Sequence, residues 1–225
     1  MVRQFKSIEE VRDYILNNGN LKVNMMFGNG DKKQYKDINE LKKSIKDATR
    51  NLRMEKQVFI YFGDVPNEEK PDIGYAFKYL SELYPNVTII MIQIKEMEKY
   101  GVPEFVNGGV FFHSDYDEKN KWGGFKKDEN GKYQVYSNTK QWLKLHWLLY
   151  EKRFMEYDEG KEIRGISNCF VFGEGGDITK QELELIKKLN KLGSKYNGFG
   201  IELKKYDLES RYETQSKDWK DKTKI

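Results

Sequence analysis

Short apolar blocks alternate with longer blocks of helical spacing along this chain, and that alternation limits the available folds more than any other feature. The short blocks are LKVNMMF (21–27), QVFIYF (57–62), VTIIMIQI (87–94), GVFFH (109–113), NCFVF (168–172) and FGIEL (199–203). Between them, residues 8–16, 38–52, 73–83, 142–154 and 178–192 place apolar side chains three or four apart. Buried strands alternating with amphipathic helices form βαβ units and hence a mostly parallel sheet. VTIIMIQI and NCFVF are almost continuously apolar, as strands are when helices cover both of their faces. The expectation is one α/β domain over 1–205, with a polar extension at 206–225.

Punctuation fits these elements. Ser7 precedes IEEVRDYI, with Glu10 three residues on, a capping-box pattern. Asn17-Asn18-Gly19 and Gly193 mark helix ends. Two regions break the alternation. SDYDEKNKWGGFKKDENGKYQVYSN (114–138) is polar, and its Asn130-Gly131 pair predicts an inserted β-hairpin. The tail KYDLESRYETQSKDWKDKTKI lacks a core stripe and reads as a surface extension.

Composition excludes several classes. No run of about 18 apolar residues spans a bilayer, and MVRQFKSIEE has no signal-peptide core. The single cysteine, Cys169, rules out an intrachain disulfide and a multi-cysteine zinc site. His113 and His146 lie too far apart in sequence for a ligand motif, so no metal or cofactor is expected. A cytoplasmic, reducing compartment is the expected home. Lys+Arg 40 against Asp+Glu 36 leaves a net charge of +4. The lysines are interleaved with acids, which describes solvated helix faces better than a nucleic-acid surface.

In an open parallel sheet, ligands sit where strand ends meet helix N-termini. Two such loops stand out. After QVFIYF, Gly63 and Asp64 lead to Pro71, Asp72 and Gly74. There Asp72 suits the positive end of a helix, and Gly74 permits close approach. After NCFVF come Gly173, Glu174, Gly175, Gly176, Asp177, Ile178 and Thr179. These glycines leave backbone N–H groups uncovered at a helix start. Ordinary βα turns with good caps are the plain alternative in both places.

The stretch SNCFVFGEGGDITKQEL (167–183) resembles the hallmark of the LONELY GUY phosphoribohydrolases, long labelled "lysine decarboxylase", within the SLOG nucleotide-binding superfamily. Gly175 and Gly176 match the glycine pair of PGGxGTxxE, Thr179 its Thr and Glu182 its Glu. Glu174 stands where the pattern has Pro, and Ile178 where it has the third Gly. The resemblance implies a Rossmann-like fold with a nucleoside monophosphate at this loop. It also implies a homodimer, for which the aromatic helix at 142–157 is the expected interface. Glu182, with an upstream Arg for which Arg153 and Arg164 are the candidates and Arg164 the one chosen, is the implied catalytic pair for N-glycosidic cleavage. Gly63, Asp64, Asp72, Gly74, Gly173, Gly175, Gly176, Asp177 and Thr179 are the implied ligand-binding set. The alternative is a catalytically inactive Rossmann-like protein acting as a structural or interaction module in a larger assembly.

Overall fold

The computed structural model describes residues 2–19, 21–30, 33–63, 71–114, 137–156, 164–193 and 199–212. Seven strands form one sheet in which every pairing is parallel: β1 (Gln4–Phe5), β2 (Lys22–Phe27), β4 (Gln57–Tyr61), β5 (Thr88–Ile94), β6 (Gly109–His113), β7 (Ile166–Phe172) and β8 (Glu202–Tyr206). Their order across the sheet is β1-β6-β5-β4-β2-β7-β8. After β1, which lies at the edge beside β6, the chain enters the sheet's centre at β2 and builds outward through β4, β5 and β6. It then returns to the other side of β2 for β7 and β8. This reversal makes a Rossmann-like switch point between β2 and β7.

Helices cover both faces. α1 (Ile8–Asn17), α4 (Ser137–Met155) and α5 (Asp177–Gly193) share a core with Val23, Met25, Val58, Ile60, Cys169 and Val171. α2 (Ile38–Thr49) and α3 (Ile73–Leu83) pack with Met26, Phe59, Tyr61, Phe170 and Phe172 on the other face. Successive residues of a strand point to opposite faces, so β2, β4 and β7 are buried on both faces and apolar at most positions. The Ser7 hydroxyl accepts the Glu10 amide, and the Glu10 carboxylate reaches back to the Lys6 amide.

A row of amides crosses the centre of the sheet. Asn168 Nδ2 donates to Asn24 Oδ1 at 2.6 Å, and Asn24 Nδ2 donates to Gln57 Oε1 at 3.0 Å. All three side chains are buried. Their mutual hydrogen bonds offset the cost of taking amides out of water.

The last strand differs from expectation. Phe199 and Ile201 are buried ahead of it, and pairing with β7 runs from Glu202 to Tyr206 rather than over 199–203. The chain beyond 205 does not simply leave the surface. Leu208 is buried in the aromatic face, and β9 (Ser210–Tyr212) pairs antiparallel with β3 (Lys33–Tyr35) as a separate two-stranded ribbon. Neither β3 nor β9 follows from hydrophobic patterning, since KQY and SRY are polar and three residues long. The hairpin expected within 114–138 lies, except for its first and last residues, outside the described residues. Among the described residues, no helix is long and apolar enough to cross a membrane.

Candidate functional site

The switch point brings together three loops at the carboxyl edge of the sheet. The loop after β7 turns on Gly173 and Gly175, whose φ values of 74° and 65° favour glycine. The loop after β2 is Gly28-Asn29-Gly30. The third is the start of α3, where Asp72 caps the helix by accepting the Gly74 amide at 2.8 Å and the Tyr75 amide at 3.2 Å.

Asn29 lies at their junction and is fully buried. Its Oδ1 accepts the Gly175 amide proton at 3.2 Å, and its Nδ2 donates to Ser210 Oγ at 3.0 Å. Its carbonyl accepts the Ile73 amide proton at 2.8 Å. The Tyr35 hydroxyl accepts the Asn29 amide proton at 3.2 Å and donates to the Phe172 carbonyl at 3.1 Å. Burial pushes the Tyr35 phenol well above its usual pKa. Thr179 donates to the Gly28 carbonyl at 3.3 Å. Lys33 pairs with Glu174 at 2.5 Å, and that lysine holds the Glu174 carboxyl below its ordinary range.

The glycines here divide into two kinds. A Cβ on Gly28 would sit 2.0 Å from the Tyr35 hydroxyl, and one on Gly175 would sit 2.4 Å from Thr179 Cβ. Those two are demanded by packing. Gly30 and Gly176 are exposed, have no positive φ, and face open space among the described residues. Gly176 immediately precedes α5, its carbonyl accepting the Lys180 amide proton at 3.1 Å.

Of the residues expected from sequence, Gly173, Gly175, Gly176, Thr179, Asp72 and Gly74 lie at this edge. Gly63 follows β4 at the same edge, where a Cβ would sit 2.5 Å from the Tyr61 hydroxyl. Asp64 falls outside the described residues. Asp177 opens α5, and only its backbone is described. Ile178, in place of the third glycine, is exposed.

Glu182 and Arg164 are not brought together. Glu182 lies in the second turn of α5 and points into the contact with α4. Its Oε1 accepts the Thr139 hydroxyl at 2.9 Å and the Trp142 indole N–H at 3.2 Å. Burial raises its pKa to about 7. Arg164 precedes β7, at the opposite edge of the sheet, some 20 Å along the strand by its roughly 3.3 Å rise per residue. Arg153 also belongs to that far edge, donating to the carbonyls of Leu21, Arg164 and Gly165.

Sequence reasoning overlooked Asn29, Gly30, Lys33 and Tyr35. The available signal was Gly28-Asn29-Gly30 directly after the first long strand, the position a switch point uses. It also assigned no role to a side-chain chain across the ends of β4, β5 and β6. There His113 Nε2 meets Asn138 Oδ1 at 2.7 Å, Asn138 Nδ2 donates to Gln93 Oε1 at 2.8 Å, and Gln93 Nε2 donates to the Phe62 carbonyl at 2.8 Å. Among the described residues, no three His, Cys, Asp or Glu side chains group as a metal site would require. Comparison with known proteins gives no match to any family model, any curated protein or any solved structure.

Proposed function

We propose that this protein binds a nucleotide-type ligand in the crevice between residues 28–30 and 173–176, and that it acts as a binding module rather than as a phosphoribohydrolase. The observation that carries the reading is the pair Gly30 and Gly176. Neither φ nor packing against described residues requires glycine at these positions. Bare backbone on both walls of a switch-point crevice suits close approach of a phosphate to the start of α5. The resemblance of 167–183 to the SLOG hallmark supports the same class of ligand. Hydrolysis is disfavoured because the carboxylate of Glu182 is spent on Thr139 and Trp142, with Arg164 at the far edge.

A second reading, an interaction module that needs no ligand, draws on α4. Trp147 and Phe154 on that helix stay about half exposed, at 53% and 55%, while Trp142, Leu145 and Leu149 fill the core. These two aromatics are where a homodimer or assembly contact would form.

Thermal unfolding with AMP, GMP, CMP and UMP separates the readings. A nucleotide at 100 times its dissociation constant stabilises the fold by about 2.7 kcal/mol. Stabilisation without release of free base is the expected result. Release of base reinstates the hydrolase. No shift with any of the four nucleotides leaves the interaction module, which light scattering of wild type against Trp147→Ala then tests.

A further inference from the structure

We propose that the C-terminal strand β9 is a latch on the switch-point crevice, coupled to its occupancy through Asn29. The inference rests on the ligand-binding reading above and adds its regulation.

One carboxamide touches both sides of the device. Asn29 Oδ1 holds the Gly175 N–H, and Asn29 Nδ2 holds Ser210 Oγ in β9. A phosphate oxygen drawn to the loop before α5 competes for the Gly175 N–H and displaces the asparagine oxygen. A carboxamide is planar, so turning its oxygen away also swings its nitrogen off Ser210. Lys33 works in the same direction. It lies on β3, the strand that β9 pairs with, and it now holds Glu174 and, at 3.4 Å, the Gly175 carbonyl. An anion in the crevice competes with Glu174 for that ammonium.

The ribbon depends on such anchors. Two paired three-residue strands are marginal in water by themselves. Its anchors include buried Leu208 and Tyr35, the Tyr35 amide on the Pro71 carbonyl, the Lys36 amide on the Glu209 carbonyl, the Arg211 guanidinium on Gln34 Oε1, the exposed Lys36–Glu209 ion pair, and Asn29. Coupling is reciprocal: if filling the crevice loosens β9, a fastened β9 weakens binding by the same factor.

Gln34 and Arg211 lie directly opposite each other in the ribbon. In the full chain, Gln34→Cys with Arg211→Cys therefore makes a lock that oxidation closes and reduction opens. Cys169 is buried and stays out of the exchange. The probes are AMP, GMP, CMP and UMP, with inorganic phosphate as the minimal anion. The oxidised form should bind about 10-fold more weakly than the reduced form, within the usual range of allosteric coupling. In the wild type, saturating nucleotide should speed hydrogen exchange over 33–36 and 206–212. Ser210→Ala should bind a few-fold more tightly than wild type, and it carries the test if the cysteine pair fails to fold. Equal affinity in both redox states, with exchange unchanged or slowed by nucleotide, overturns the latch and leaves the binding site standing. Absence of binding by wild type and by the reduced form alike overturns the binding reading, and the latch falls with it.

Discussion

Thr139 donates its hydroxyl to Glu182 at 2.9 Å, joining the first turn of α4 to the second turn of α5 inside the protein. Trp142 donates to the same oxygen, and burial, with the Glu182 charge adding to it, pushes the Cys169 thiol of β7 up. The folded Glu182 pKa of about 7 lies above the ordinary carboxyl value of 4.5, and burial is the main cause. A raised carboxyl pKa contributes stability below about pH 4.5 and loses it as the pH rises through 7. Glu182→Gln keeps an acceptor for both donors and carries no charge. The variant should therefore exceed wild type in stability by a few kcal/mol at pH 8.5, an order-of-magnitude value. The gap should close by pH 4.5. Urea unfolding of both chains across that range measures it, and a gap that does not vary with pH refutes the buried charge.

His146 slopes the other way. Its Nδ1 accepts the Ile166 amide proton and its Nε2 meets the Phe199 carbonyl, both at 2.8 Å. The first bond requires a bare Nδ1, so the neutral ring carries its proton on Nε2. Burial lowers its pKa to about 4. The associated stability is complete above about pH 6.5 and drains as the pH falls towards 4. Nitrogen NMR should find the Nε2–H tautomer still neutral at pH 5.5. A ring half protonated near pH 6.5 would show that the pocket is wet.

The two kinds of glycine predict opposite outcomes. Gly28→Ala drives a methyl group into the Tyr35 hydroxyl and the Phe172 carbonyl, and it should cost about 3 kcal/mol or more. Gly176→Asp places a favoured N-cap residue at the start of α5 and should leave stability equal, or raise it by about 0.3 kcal/mol, since glycine is itself a tolerable N-cap. The same aspartate puts a negative charge on the crevice wall, so nucleotide stabilisation should vanish. Persistence of the nucleotide shift in Gly176→Asp would place the ligand elsewhere.

Tyr35→Phe removes one hydroxyl that serves two buried backbone groups, the Asn29 N–H and the Phe172 carbonyl. Leaving both unpaired should cost about 2–4 kcal/mol, taking roughly 1–2 for each. Denaturant midpoints give the figure. A loss below about 0.5 kcal/mol would mean that water takes the place of the hydroxyl.

The sheet was legible because its strands are covered on both faces. VTIIMIQI and NCFVF have no room for polar alternation, and the amphipathic blocks between them leave few other arrangements. The glycine-rich turn before α5 was legible for a related reason, since Gly173 and Gly175 carry the φ values that glycine density suggests. The partner wall was not. Asn29 and Lys33 are single polar residues whose meaning comes from residues 140 or more positions away, which hydrophobic periodicity cannot register. Ser210 is harder still, because β9 pairs with a strand too short and polar to have a pattern. Glu182 and Arg164 share no contact, and sequence alone could not show it: adjacency to one strand says nothing about which of its ends a residue occupies, and Glu182 is turned to Thr139 and Trp142.

The amide row through Asn24 bears on how the chain assembles in time. β4 follows β2 by about 30 residues, and Gln57 takes up the Asn24 nitrogen from that side. The Asn24 oxygen has no Asn168 to accept from until 144 further residues have been made. A chain halted after β6 therefore exposes a bare strand edge at β2, together with a carboxamide half satisfied. Such edges recruit other chains. The second half of this protein closes a seam that the first half leaves open.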